Sequence, residues 1–258
     1  MNTPRALLFT CLLTCFALPA TAQTSFSIDF LTDDQSNTLV AGSVDLATNE
    51  PYRNLFAPGV GVRLSTDNPG SNPLNLYDTE GTGGADDDLE RNSTGSGLWA
   101  GGSHLGLVVN NVLIINTNTD LTTPNDAAAG GTMVLDFDLS LSEFGFDFID
   151  LDTSANGSIT FSDISGGSGS TTIGFAQFEQ GYGGVFERAN VTFGDRYANR
   201  VLGITASDLG LTSFDRVSFN LTSSGGIGTI YATTVPEPST SLVAILGLAG
   251  MALSRKRR

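Results

Sequence analysis

Across residues 23–234, apolar and polar positions alternate with a period of two. Met133, Leu135, Phe137, Leu139 and Leu141 share one parity, against Val134, Asp136, Asp138 and Ser140. Phe26, Ile28 and Phe30 alternate with Ser27 and Asp29, Val60, Val62 and Leu64 with Gly61 and Arg63, and Val217, Phe219 and Leu221 with Ser218 and Asn220. Successive side chains on a strand point to opposite faces, so each run predicts a strand with one buried face. Shorter runs at 74–77, 108–115, 144–151, 158–164, 172–178, 185–193, 200–204 and 227–232 read the same way. The links between them are rich in Gly, Ser, Asn and Asp, as in residues 165–170 and 223–226. Helical periodicity is missing. The one helical turn predicted is Thr205-Ala206-Ser207-Asp208, with capping-box spacing. Many short strands joined by polar turns predict an all-β domain at 23–234, an antiparallel β-sandwich or jelly roll.

The two ends depart from this pattern. Arg5, the apolar stretch at 6–18 and the small residues Ala20-Thr21-Ala22 have the order of a secretory signal peptide, residues 1–22. At the other end, Val235-Pro236-Glu237-Pro238-Ser239 precedes an apolar run at 242–253 and the basic cluster Arg255, Lys256, Arg257 and Arg258. Pro236 and Pro238 lack a backbone donor and cannot continue a sheet. The apolar run predicts a hydrophobic anchor helix near the lower length limit for crossing a bilayer, with the four cations left on the cytoplasmic side. This order at 235–258 resembles the PEP-CTERM sorting signal of exported bacterial proteins. The resemblance implies recognition of the Pro-Glu-Pro segment by an exosortase, a membrane protease-transpeptidase. It also implies transient inner-membrane anchoring, then release to the cell surface or extracellular matrix of a Gram-negative-type bacterium. The order Tyr77-Asp78-Thr79, Asp86-Asp87-Asp88-Leu89, Phe144-Gly145-Phe146, Phe193-Gly194-Asp195-Arg196 and Phe214-Asp215-Arg216-Val217 is similar to a recurrent extracellular β-sandwich of PEP-CTERM proteins, a group that implies no particular activity.

These segments change what the composition means. Cys11 and Cys15 both fall within residues 1–22, so residues 23–234 have no disulfide and no thiolate site. The same region holds seven cations, all Arg, against 26 acids, a net charge of −19. Such acidity excludes a nucleic-acid partner, which requires cations against phosphate.

Carboxylates concentrate in two places. Asp78, Glu80, Asp86, Asp87, Asp88 and Glu90 fall within 13 residues on a glycine-rich segment, where their mutual repulsion favours solvent or a bound cation. Asp150 and Asp152 continue the parity of Phe146 and Phe148, so they extend a buried stripe where its strand should end. Calcium takes 6–8 oxygen ligands from carboxylates, carbonyls and water. We therefore expect a structural Ca2+ among Asp78, Asp86, Asp88, Asp150 and Asp152. The EF-hand spacing is absent. The Asp195-Arg196 and Asp215-Arg216 steps read as local charge pairing.

Catalytic motifs are missing. His104 is the only histidine and lies in a Gly/Ser-rich stretch without H-E-x-x-H or G-x-S-x-G context. Trp99, in a Gly- and Ser-rich stretch, and Tyr182, between Gly181 and Gly183, are the aromatics placed to stack on a sugar. The expectation is a non-enzymatic exported surface or matrix protein with no catalytic residue. The alternatives are a calcium-dependent carbohydrate-binding module with exopolysaccharide as partner, and a hydrolase or lyase acting on polysaccharide.

Overall fold

The computed structural model describes residues 23–31, 38, 39, 41, 61–67, 72–81, 86–91, 95–117, 119, 120, 122–152 and 157–236. Ten strands form among them: β1 (Ser25–Ile28), β2 (Val62–Thr66), β3 (Leu74–Asp78), β4 (Asn111–Ile115), β5 (Gly131–Ile149), β6 (Ser158–Asp163), β7 (Gly169–Gly174), β8 (Ala198–Thr205), β9 (Phe214–Leu221) and β10 (Gly226–Thr234). Every pairing between them is antiparallel. The described residues are all-β, and the strands make one curled sheet within the unit Gln23–Val235.

The spine of the sheet is β5, 19 residues long. Its first half lies between β2 and β9, with Leu135 opposite both Leu64 and Val217. Its second half lies between β10 and β8, with Phe146 opposite both Ile230 and Val201. Beyond β9 follow β6 and β7, and beyond β10 follow β1 on one stretch and β4 then β3 on another. The alternation predicts two strands where β5 runs as one, because its buried parity changes midway. Met133, Leu135, Phe137 and Leu141 are buried on odd positions, then Phe144, Phe146 and Phe148 on even ones. An extra residue in a ladder reverses which face each later side chain takes. Register shifts against β5 fall between Asp136 and Leu141 for β9, between Phe144 and Phe146 for β8, and for β10 both between Leu141 and Glu143, which is that step, and between Phe146 and Phe148.

Two other predicted strands differ. Residues 185–193 form turns and irregular backbone rather than a strand, and 175–178 close as a 3-10 turn after β7. The capping-box reading of Thr205 holds at the level of bonds: Asp208 N–H donates to Thr205 Oγ1 at 3.1 Å, and Thr205 N–H to Asp208 Oδ2 at 3.4 Å. Thr205 itself ends β8, so the pair closes a turn and not a helix.

The main core joins side chains from both halves of the curl. Phe146 packs edge-on against Phe219 at 5.0 Å, Phe161 against Phe214 at 5.1 Å, and Phe148 stacks on Phe193 at 5.4 Å. Such ring pairs add about 0.5–1.5 kcal/mol each beyond the area they bury. A second, smaller cluster contains Tyr77, Leu89, Trp99, Leu107, Val112, Ile149 and Ala198. Among the described residues, no helix is long and apolar enough to cross a membrane. The predicted signal peptide and the apolar run at 242–253 lie outside the described residues.

Candidate metal centre and sorting segment

The second cluster pins three backbones side by side. Leu89 ends the 3-10 turn Asp87–Leu89, Ile149 ends β5 and Ala198 begins β8; all three are fully buried in it. The register that pairs Ile149 with Ala198 brings the residues after β5 against those before β8. Asp150 continues this contact in a left-handed turn, with φ 58°, a conformation Asp tolerates better than most residues. Its N–H donates to Tyr197 O at 2.9 Å, and Arg196 N–H donates to Asp150 Oδ1 at 2.7 Å. The Arg196 guanidinium donates from Nη2 to Glu90 O at 3.2 Å, tying the 86–91 segment to the same place. Tyr77 holds that segment from below, its hydroxyl donating to Asp86 O at 2.7 Å and to Glu90 Oε1 at 3.1 Å.

Asp88, Asp150 and Asp195 are thereby collected, with one carboxylate oxygen of each within 4.8 Å of the others. Asp150 is 0% exposed, Asp88 half-buried and Asp195 exposed. Asp150 Oδ2 and Asp88 Oδ1 are buried and have no hydrogen-bond partner among the described residues. Burial first, and then the charges of Asp152, Asp195 and Asp86, raise the Asp150 carboxyl to about 7 against the pull of the Arg196 N–H. The negative potential is therefore concentrated, partly dry and unanswered by any ion pair to these three among the described residues.

Beside it sits a second carboxyl pair. Burial, then the charge of Asp86, raise Asp126 well above the usual carboxylate range, while Gly225 N–H pulls the other way. Asp126 N–H donates to Asp86 Oδ2 at 3.1 Å, and Gly225 N–H donates to Asp126 Oδ2. Gly225 has φ +133°, and a Cβ there would lie 2.6 Å from Leu151 Cδ2 and 2.9 Å from Asp150 O. Only glycine fits this close approach.

The five acids expected to share a cation are thus divided. Asp88 and Asp150 come together, and Asp86 is engaged with Asp126. Asp78 is exposed at the end of β3, where it accepts Glu80 N–H at 3.0 Å. Asp152 is exposed and accepts from Ser224 Oγ at 3.2 Å. Asp195, read as half of a local charge pair, is the third member. Asp215 accepts the N–H groups of Ile164 and Ser165 at 2.7 and 2.8 Å, and its charge supports Arg216 only behind Asp136, with which Arg216 forms its ion pair.

The aromatics separate as well. Trp99 is 3% exposed, and its Nε1 donates to Leu107 O at 2.9 Å, so its ring belongs to the second core and is not offered to a sugar. Tyr182 is 57% exposed on a turn that Glu187 braces by accepting Gly181 and Gly183 N–H, each at 2.8 Å. His104 is exposed, and its ring has no hydrogen-bond partner among the described residues.

Past the last strand, Val235 N–H donates to Ser140 O at 2.9 Å and Pro236 is the final described residue. Glu237, Pro238, Arg255, Lys256, Arg257 and Arg258 lie outside the described residues. Residues 234–258 match the PEP-CTERM protein-sorting motif. No curated protein and no solved structure matches the chain. The motif marks an exported protein that is sorted to the cell envelope and processed by an exosortase.

Proposed function

We propose that the chain is a non-enzymatic surface or extracellular-matrix protein of a Gram-negative-type bacterium, held in the inner membrane by its apolar tail until an exosortase acts. The observation that carries this reading is the sorting motif beginning at the last residue of β10. We read the curled sheet as a β-sandwich of jelly-roll type, since its two halves share one aromatic core. A non-catalytic role is supported by how the buried acids are used. Asp147 faces Arg200 and Tyr231, and Asp86 and Asp126 face each other. Replacing Pro236, Glu237 and Pro238 together by Ala is expected to hold the unprocessed protein in the inner-membrane fraction. Unchanged fractionation would defeat the sorting reading.

A second reading, carbohydrate binding, is favoured by a shallow groove of about 330 Å³ across β1, β10, β5 and β8. Ser25, Ser27, Glu143 and Tyr231 line it. Its floor is Gly145, where a Cβ would meet Leu202 Cδ2 and Val201 O at 2.8 Å each. An aromatic with flanking hydroxyl and carboxylate groups suits an exopolysaccharide. A glycan array with the full chain, with and without calcium, tests it: signal lost in Tyr231→Ala supports the reading, and no signal in either condition rejects it.

A further inference from the structure

We propose that Asp88, Asp150 and Asp195 bind one divalent cation of the calcium class, which ties the 86–91 segment to the β5–β8 edge of the sheet. Three observations converge on this. One carboxylate oxygen from each residue lies within 4.8 Å of the others, inside the upper limit of the about 4.6–5.2 Å between oxygens on opposite sides of a calcium ion. The oxygens come from three backbones fixed by one buried cluster through Leu89, Ile149 and Ala198. Asp150, fully buried, and Asp88 each aim an oxygen with no hydrogen-bond partner among the described residues.

The last point separates this group from an ordinary wet acidic loop. A buried, unpartnered carboxylate oxygen costs free energy that a surface carboxylate does not. Asp150 Oδ1 is already oriented by Arg196 N–H, which leaves Oδ2 as the free ligand atom. Asp147, with a bidentate arginine, and Asp163, with three donors, show how acids elsewhere in the protein are satisfied. At Asp150 a cation supplies what no side chain does. Asp195 is exposed, which leaves the outer side open to water ligands, and calcium tolerates such an irregular mixed shell. Magnesium demands a near-ideal octahedron and gives up its waters reluctantly, so it suits three ligands from separate segments less well.

The test is the thermal melt of the full chain in detergent solution, in chelator, in calcium and in magnesium. A ligand bound only by the folded state raises the melting temperature. At calcium about 100-fold above its Kd, the rise for a domain of this size is about 5–10 °C. Magnesium at equal concentration is expected to give less than half of it. Asp195→Asn removes an exposed ligand, and Asp150→Asn keeps an oxygen for the Arg196 N–H. Both are expected to melt in chelator no lower than the parent and to lose most of the calcium shift. Identical parent melts in chelator and calcium, an equal shift with magnesium, or full calcium shifts in both variants would each overturn the assignment.

Discussion

Asp147 lies fully buried on β5, where Arg200 donates to it at 2.7 and 2.9 Å and Tyr231 at 3.1 Å. Burial pushes its carboxyl up, and Arg200 and Tyr231 pull it back. Asp163, at the end of β6, is answered by the chain itself: Ser168 Oγ and N–H and Gly166 N–H donate to it at 2.6, 3.0 and 2.8 Å. These bonds, led by the Ser168 hydroxyl, hold its carboxyl below the ordinary 3.8. A carboxylate lowered in the folded state stabilises it above the unfolded value, and that contribution is lost as pH falls through the lower folded value. Asp163→Asn is therefore expected to cost about 1 kcal/mol near neutral pH. Chemical denaturation at descending pH should show the difference from the parent closing in acid. A cost that stays constant with pH would contradict the role given to the charge.

At the scale of elements, Trp99 is the side chain on which the acidic site rests, since its cluster holds Leu89, Ile149 and Ala198 together. Trp99→Ala is expected to destabilise the protein by about 3–5 kcal/mol in urea unfolding. A loss under about 1 kcal/mol would mean that the ring is not packed there. Sequence alone reads this tryptophan as a stacking residue, because a Gly- and Ser-rich stretch looks alike over a core and over a ligand. The strands themselves were legible wherever one face is buried, as in the alternation of β9 and of the first half of β5. The joining of β5 into one strand was not, because a parity change looks the same at a turn and at a bulge. Asp88 and Asp150 stood out through clustering and parity. Asp195 did not, because its place depends on the pairing of Ile149 with Ala198, and register between strands distant in sequence leaves no local trace. The signal available was its position just before a strand, opposite the end of another.

For the molecule as a whole, a Cys-free, Lys-free region of net charge −19 holds its fold by a phenylalanine-rich core and by arginine–carboxylate pairs at Asp136, Asp147 and Glu80. The sheet closes with β10, bonded to β1, β4 and β5, and the sorting motif starts where that strand stops. The last strand thus leads directly into the processing segment, with no spacer between. On this account the folded unit is delivered without its tail. The most direct test is the intact mass of the protein recovered outside the inner membrane. The predicted mass lacks Arg255, Lys256, Arg257 and Arg258 and corresponds to a C-terminus near Pro236-Glu237-Pro238, whereas the triple-alanine variant keeps its full tail. Protein exported to the surface with the basic tail still attached would contradict the account.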